Sequence, residues 1–101
     1  MIQINIKNMF GDSDFGRPEG LKLRLFFEDN WDKTDIFEVD FQLTKIASVS
    51  FFDEAFAKLA NKATMEELRK KVSIINLGDF DKRLLNDVVK DRYSNKGNKA
   101  G

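Results

Sequence analysis

Three short β-forming runs, set apart by longer stretches, most constrain what this chain can fold into. Residues 2–7 alternate apolar and polar side chains, residues 35–41 are rich in β-forming side chains, and residues 72–77 form a short apolar run. The stretches after the second and third runs place apolar residues at helical spacing. Strands separated by helical segments favour an α/β layer around a mostly parallel sheet, with residues 35–41 as its central strand.

The composition excludes several classes of function. A length of 101 residues fits one domain. The chain has no cysteine and no histidine, which excludes disulfide frameworks, zinc ribbons, thiol nucleophiles and histidine-based catalysis. Its net charge of zero argues against nucleic acid as a partner, and its apolar stretches are too short for a signal peptide or a membrane span. We therefore expect a small cytoplasmic domain that does not contact a membrane.

A helix is predicted in the segment after residue 48. Ser50 is a favourable N-cap, and Asp53 at the third helical position can return the hydrogen bond in a capping box. Five apolar residues share one helical face and are expected in the core: Phe52, Ala55, Phe56, Leu59 and Ala60. Asp53, Glu54 and Lys58 turn outward, with Glu54 and Lys58 four residues apart in the favourable order. These three side chains are predicted to face solvent.

Two further helices and a tail are predicted towards the carboxyl terminus. Thr64 and Glu67 form a capping box that opens a short helix through about residue 71. A last helix has Asp79 as its candidate N-cap and an apolar face of Phe80, Leu84, Leu85, Val88, Val89 and Tyr93. Residues 94–101 have no apolar anchor and are predicted to form a disordered polar tail, so the domain is placed at residues 1–93.

The first half contains a loop and a segment with two interpretations. Residues 10–20 hold three glycines and the only proline, and are predicted to form a loop. Residues 18–33 fit a strand because four apolar residues alternate there, namely Leu21, Leu23, Leu25 and Phe27. They also fit a helix with Pro18 in its first turn. Periodicity alone leaves both interpretations open.

The run at residues 49–56, Val-Ser-Phe-Phe-Asp-Glu-Ala-Phe, is the most informative motif. It resembles the Ser-Phe-x-Asp-Glu-x-Phe signature of a STAS-like domain family of unknown function, in which the signature follows a strand ending in Asp-Phe, here Asp40-Phe41. The similarity extends loosely from residue 16 to residue 77. It implies a small single-domain α/β fold, with three to four helices packed on a mixed sheet of about four strands. It also implies a helix at about residues 18–31.

The motif is more distantly similar to the STAS domain of anti-sigma-factor antagonists, which are bacterial partner-switch proteins. Those carry Phe-x-Asp-Ser-Ser-Gly at the same strand-to-helix junction, where a partner kinase phosphorylates the second serine. Here Glu54 falls on the first serine and Ala55 on the phosphorylated one. Glutamate imitates phosphoserine only weakly, because it carries one charge where phosphoserine carries nearly two. Ser48 and Ser50 are the nearest candidates for modification, although Ser50 is expected to be the N-cap.

The resemblance implies a non-catalytic regulatory module that docks onto a protein partner, such as a histidine-kinase-like ATPase. The expected contact surface combines residues 48–58 with the loop at residues 11–20. Its candidate partner-binding residues are Arg17, Ser48, Ser50, Asp53, Glu54 and Lys58. The two acids also have a structural explanation, because acids in the first turn of a helix stabilise it by about 0.3–1 kcal/mol each. A contact between Arg17 and the two acids would organise the loop or tie it down.

Three other functions compete with docking. An enzyme that uses Asp53 and Glu54 as paired acid and base is disfavoured, because adjacent helical positions diverge by about 100°. A small-ligand or nucleotide sensor rests on analogy of fold, since the sequence has no phosphate cradle. A structural homo-oligomer, such as a homodimer, fits the ten Phe, with Phe10, Phe15 and Trp31 as candidate exposed aromatic residues. We therefore expect no catalysis, no metal and no cofactor.

Overall fold

The computed structural model describes the backbone of residues 1–98 and the side chains of residues 1–95. Within these residues the strands are β1 (Ile2–Asn5), β2 (Phe37–Asp40) and β3 (Val72–Ile75). The α-helices are α1 (Ile6–Phe10), α2 (Arg17–Asn30), α3 (Val49–Ala55), α4 (Met65–Lys71) and α5 (Asp79–Asn98). Short 3-10 segments at Trp31–Lys33 and Ala57–Asn61 follow α2 and α3. No described helix is long and apolar enough to cross a membrane.

The strands form one parallel sheet in the order β1-β2-β3. The position of β2 confirms the central strand predicted at residues 35–41. The register places Ile4, Val39 and Ile74 side by side on the face that meets the core, where Ile4 and Val39 are buried. The predicted mixed sheet of about four strands is wrong for the described residues, which supply three strands, all parallel.

The segment from residue 17 to residue 30 is a helix because its apolar residues meet the core at helical spacing. Leu23 and Phe27 are fully buried. Leu21 and Leu25, each two residues earlier, are 40% and 46% exposed, whereas a strand would have placed all four on one face. The ring of Phe27 packs against that of Phe37 in β2, with centroids 5.1 Å apart. The helical prediction is confirmed, and the further strand offered by the alternation does not form.

The opposite face of the sheet is mostly polar. Gln3, Glu38 and Ser73 lie side by side on it, and the Gln3 amide donates a hydrogen bond to Glu38 over 3.3 Å. Parallel sheets usually have apolar residues on both faces because helices cover both. Here the core lies on one side, where α2 packs along α3 and α3 packs along α5.

Element boundaries in the first part of the chain differ from the prediction. β1 ends at Asn5, so the strand predicted over residues 2–7 is shorter. The Asn5 side chain caps α1 by accepting a hydrogen bond from the backbone N–H of Asn8 over 2.9 Å. Because of this cap, Ile6 is the first residue of α1 and no longer part of the strand, but its side chain is still fully buried. The loop predicted at residues 10–20 is reduced to residues 11–16 between α1 and α2.

The later helices agree more closely with those predicted from the sequence. The capping box of Thr64 and Glu67 opens α4 as predicted. The five core positions predicted for α3 and the residues after it are all buried, although the helix gives way to a 3-10 segment after Ala55. α5 runs to Asn98 and therefore includes residues 94–98 of the predicted tail, while residues 99–101 lie outside the described residues.

The aromatic residues expected at an interface are packed instead. Phe10 and Phe15 are half-buried, and their ring centroids lie 6.2 and 5.2 Å from that of Phe51. Trp31 is only 9% exposed, and the Nζ of Lys71 lies 5.2 Å from its ring centroid. The prediction of exposed rings at these positions is wrong, because the rings complete a core that is already rich in phenylalanine.

A buried acid joins the loop after β2 to the first turn of α5. The Asp81 side chain, 3% exposed, accepts hydrogen bonds of 2.8 Å from the backbone N–H groups of Ile46 and Ala47. Because Asp81 faces inward in the first turn of α5, Phe80 beside it is 68% exposed, and its predicted place in the core is wrong. The loop after β2 also leaves Leu43 81% exposed at a φ of 58°.

Gly20 sets the distance between α2 and α3. A Cβ at this position would lie 2.8 Å from the backbone oxygen of Phe51 and 2.8 Å from the Cβ of Glu54. We expect Gly20→Ala to lower the free energy of unfolding by about 1–3 kcal/mol, because the helices must move apart. Helix propensity alone predicts the opposite, a gain of about 1 kcal/mol. Urea denaturation shows whether Gly20→Ala lowers or raises the free energy of unfolding.

The matched control is Gly78→Ala, because a Cβ at Gly78 meets nothing within 4 Å. Because Gly78 directly precedes the first turn of α5, we expect this variant to lose at most about 1 kcal/mol of unfolding free energy. A Gly20→Ala variant as stable as the Gly78→Ala variant would contradict the close approach of the helices.

Candidate functional site

The polar contacts between α2 and α3 converge on the carboxylate of Glu54. Its Oε2 accepts a hydrogen bond from Nη2 of Arg24 over 2.8 Å. Its Oε1 accepts from Nζ of Lys58 over 2.8 Å and from Nη1 of Arg17 over 3.1 Å. The Nε of Arg24 also donates to the backbone carbonyl of Glu54 over 2.9 Å. We call these four residues the Glu54 cluster, in which one buried acid binds three cations.

The prediction that Glu54 faces solvent is wrong, and the reason lies in α2. In α3 alone, Glu54 falls on the polar side of the helix, as the pattern predicts. Gly20 lets α2 approach that side of α3 so closely that Glu54 is left 6% exposed. A buried carboxylate is stable only where hydrogen bonds and opposite charges replace its water, and Arg17, Arg24 and Lys58 supply both.

Asp53 joins three helices through two arginines. Nη2 of Arg92 in α5 lies 2.8 Å from both of its carboxylate oxygens, and Nε lies 3.2 Å from Oδ1. Nη1 of Arg17 donates to Oδ2 over 3.1 Å. Since the same Nη1 also donates to Glu54, the predicted contact between Arg17 and the two acids is confirmed. Asp53 itself is half-buried rather than fully exposed.

The cations hold both acids in their charged form. Hydrogen bonds from Lys58 and Arg24 outweigh the effect of burial and lower the pKa of Glu54 to about 2. Burial raises the pKa of Asp53, but hydrogen bonds from Arg92 and Arg17 more than compensate, so this pKa is lowered as well. A carboxylate with a lowered pKa is a weak base, so the pair is better suited to holding cations than to proton transfer. No group of three or more acids in the described part of the chain is placed to hold a metal ion.

The two candidate serines differ in what their side chains do. Ser48 is the N-cap of α3, and its Oγ accepts a hydrogen bond from the backbone N–H of Phe51 over 3.1 Å. The predicted capping box of Ser50 and Asp53 is therefore wrong, because the helix begins two residues earlier at Val49. Ser50 lies in the first turn of α3 and is half-buried. Val49 between them is 53% exposed.

An open cleft of about 480 Å³ lies beside Asp53, between α3 and α5. Its lining residues are Arg17, Val49, Asp53, Ala60, Asn61, Val88, Asp91, Arg92 and Asn95. The side chain of Arg17 is 53% exposed, so it faces solvent while it binds both acids. Of the predicted site residues, the structure thus brings together Arg17, Asp53, Glu54 and Lys58, while Ser48 and Ser50 lie in or just before the first turn of the same helix.

Two arginines of the site were missed by the sequence interpretation. Arg92 is 39 residues from Asp53, and no local pattern links them. Arg24 lies in the segment that the periodicity left open between strand and helix. Once that segment is a helix, Arg17, Gly20 and Arg24 follow each other at spacings of three and four residues, which is the signal that could have placed them on one face.

The pH dependence of stability tests the burial of Glu54. Its pKa is about 2 in the folded chain and about 4.5 in the unfolded chain, so the stabilisation is complete above pH 4.5 and is lost as the pH falls towards 2. We expect Glu54→Gln to lower the free energy of unfolding by about 3 kcal/mol at neutral pH. The difference from the parent should shrink steadily between pH 4.5 and about pH 3, as urea denaturation measures it.

The control is Glu66→Gln, since Glu66 is an acid with a 78% exposed side chain in an i,i+4 pair with Lys70. Its unfolding curve should follow that of the parent at every pH, because exposed pairs contribute little. A difference between Glu54→Gln and the parent that stays constant down to about pH 3 would contradict the buried ion cluster.

Comparison with known proteins identifies a family for the chain. The model of a STAS-like domain of unknown function matches residues 19–82, which is more than half of the chain and includes both β2 and the whole of α3. No curated protein and no solved structure matches significantly. The matched segment contains Gly20, Arg24 and the Glu54 carboxylate that they surround. The chain therefore belongs to the STAS-like domain family of unknown function.

Proposed function

We propose that this domain is a non-catalytic interaction module that docks onto a protein partner through the carboxyl edge of its sheet. The observation that carries the proposal is the exposure of three apolar side chains in the segments at this edge. Leu43 follows β2 and is 81% exposed, Phe80 follows β3 and is 68% exposed, and Val49 at the start of α3 is 53% exposed. We call these three residues the carboxyl-edge patch. Large exposed apolar side chains that follow neighbouring strands at one edge of a sheet are candidates for a binding surface.

The backbone under this patch is held in place before any partner binds. Asp81 fixes Ile46 and Ala47, and the Ser48 cap fixes the start of α3. Leu43 adopts a φ of 58°, a conformation that costs a leucine roughly 1 kcal/mol or more. Such strain is concentrated at functional sites, and a preformed loop loses little entropy on binding.

The site residues take different parts in this proposal. Arg17 lies in the same cleft as Val49 and offers a charged, half-exposed group beside the patch. Asp53 and Glu54 support this surface from within, through the cations that they bind. Ala55, which aligns with the phosphorylated serine of the antagonists, has no hydroxyl group and is fully buried, so a switch by phosphorylation would need Ser48 or Ser50. A histidine-kinase-like ATPase is the partner that the family resemblance favours.

Site-specific photo-crosslinking tests the docking surface. A photoreactive phenylalanine analogue replaces Phe80 or Leu43 in the full chain, which is produced in the cells that encode it. We expect a crosslinked adduct with another protein from both positions, because an exposed side chain at a docked surface lies within van der Waals contact of the partner. Gel electrophoresis and mass spectrometry identify the adduct.

The matched control places the analogue at Leu25, which is 46% exposed on the outer side of α2. We expect no adduct with the same partner there. Equal crosslinking from Leu25 and from the patch, or no adduct from the patch, would contradict the proposal. An adduct of twice the 11.7 kDa of this chain would replace it with self-association.

A further inference from the structure

We propose that the cleft between α3 and α5 is a binding site for a small organic monocarboxylic acid, whose carboxylate binds Arg17. This inference goes beyond docking, because it concerns a small ligand in the cleft between α3 and α5 and not a protein on the carboxyl edge of the sheet. We call the site the Arg17–Arg92 cleft, after the two guanidinium groups that line it.

The unused hydrogen-bond donors of the two arginines carry the argument. Among the described residues, only Nη1 of Arg17 donates to an acid, so Nε and Nη2 on its other edge have no partner there. That edge is the planar pair of N–H groups that binds a carboxylate with two parallel hydrogen bonds. Arg92 uses Nε and Nη2 on Asp53, which leaves its Nη1 without a partner among the same residues.

Arg17 is also held in position without a ligand. One of its nitrogens lies 3.1 Å from both Asp53 and Glu54, although its side chain is 53% exposed. An exposed arginine normally loses side-chain entropy when it binds an anion. Here the two acids have already restricted the side chain, so the remaining N–H groups are preorganised for a ligand.

The other lining residues define the class of the ligand. The cleft holds about 480 Å³, which is within the usual range of roughly 300–1,000 Å³ for small-molecule sites. Val49, Ala60 and Val88 supply apolar contacts for the body of a ligand. Asp53 and Asp91 line the same cleft and offset the positive charges of Arg17 and Arg92, so the lining has no excess positive charge to balance a doubly charged phosphate. A singly charged acid with an apolar body therefore fits best.

NMR titration of the intact chain with phenylacetate, benzoate and 3-methylbutanoate tests the site. We expect saturable shifts at the backbone N–H groups of Val49 and Asn61 and at the side-chain Nε–H of Arg17. Inorganic phosphate and the neutral 2-phenylethanol should give no saturable shift at these positions. Arg17→Gln should weaken binding by about tenfold or more, which corresponds to the loss of a charged hydrogen-bond pair.

Arg83→Gln is the control variant, because Arg83 is exposed on the same helix as Arg92 and does not line the cleft. It should bind like the parent. If Arg17→Gln is unstable, the parent chain still tests the need for a carboxylate, because phenylacetate should bind to it and the neutral 2-phenylethanol should not. Shifts that saturate with none of the three acids, shifts that phosphate reproduces, or binding that is unchanged in Arg17→Gln would overturn the proposal.

Discussion

The carboxylate of Glu54 has lost its water, and the cations that replace this water determine how α2 packs on α3. Removing an ionised acid from water costs several kcal/mol unless opposite charges and hydrogen bonds compensate. Arg24 and Lys58 each lie 2.8 Å from it, and Arg17 lies 3.1 Å away. This arrangement requires glycine at position 20, because a side chain there would clash with the backbone of α3.

Asp53 and Glu54, the two acids of the motif, therefore lie in different environments, but each of them joins α3 to another helix. Glu54 joins α2 to α3, whereas Asp53 joins α3 to α5 through Arg92. Arg17 contacts both acids and still reaches solvent. As a result, most side chains of the motif at residues 49–56 contribute to packing in the interior. Among the described residues, Nε and Nη2 of Arg17 have no partner, and the apolar side chains of Leu43, Val49 and Phe80 are exposed.

The parts of this fold that depend on local pattern could be predicted from the sequence. The three strands, the capping box of Thr64 and the buried face of α3 follow from periodicity and from side-chain hydrogen bonding to the backbone. The missed features depend on contacts between distant segments. The burial of Glu54 needs Gly20, and the pairing of Asp53 needs Arg92, 39 residues away. Phe80 is exposed because Asp81 takes the inward position to bind a distant loop.

A double-mutant cycle on Arg24 and Glu54 tests most directly whether this ion pair organises the domain. Arg24→Met, Glu54→Met and the double variant are compared with the parent by urea denaturation. Arg24→Met leaves Glu54 with two of its three cations, and Glu54→Met leaves Arg24 with the more exposed Glu28 as its acid partner. In the double variant an apolar pair replaces the buried contact, so this variant should be more stable than the sum of the single effects predicts. We expect a coupling free energy of about 1–3 kcal/mol. Single effects that add to within about 0.5 kcal/mol would contradict the central role of this contact.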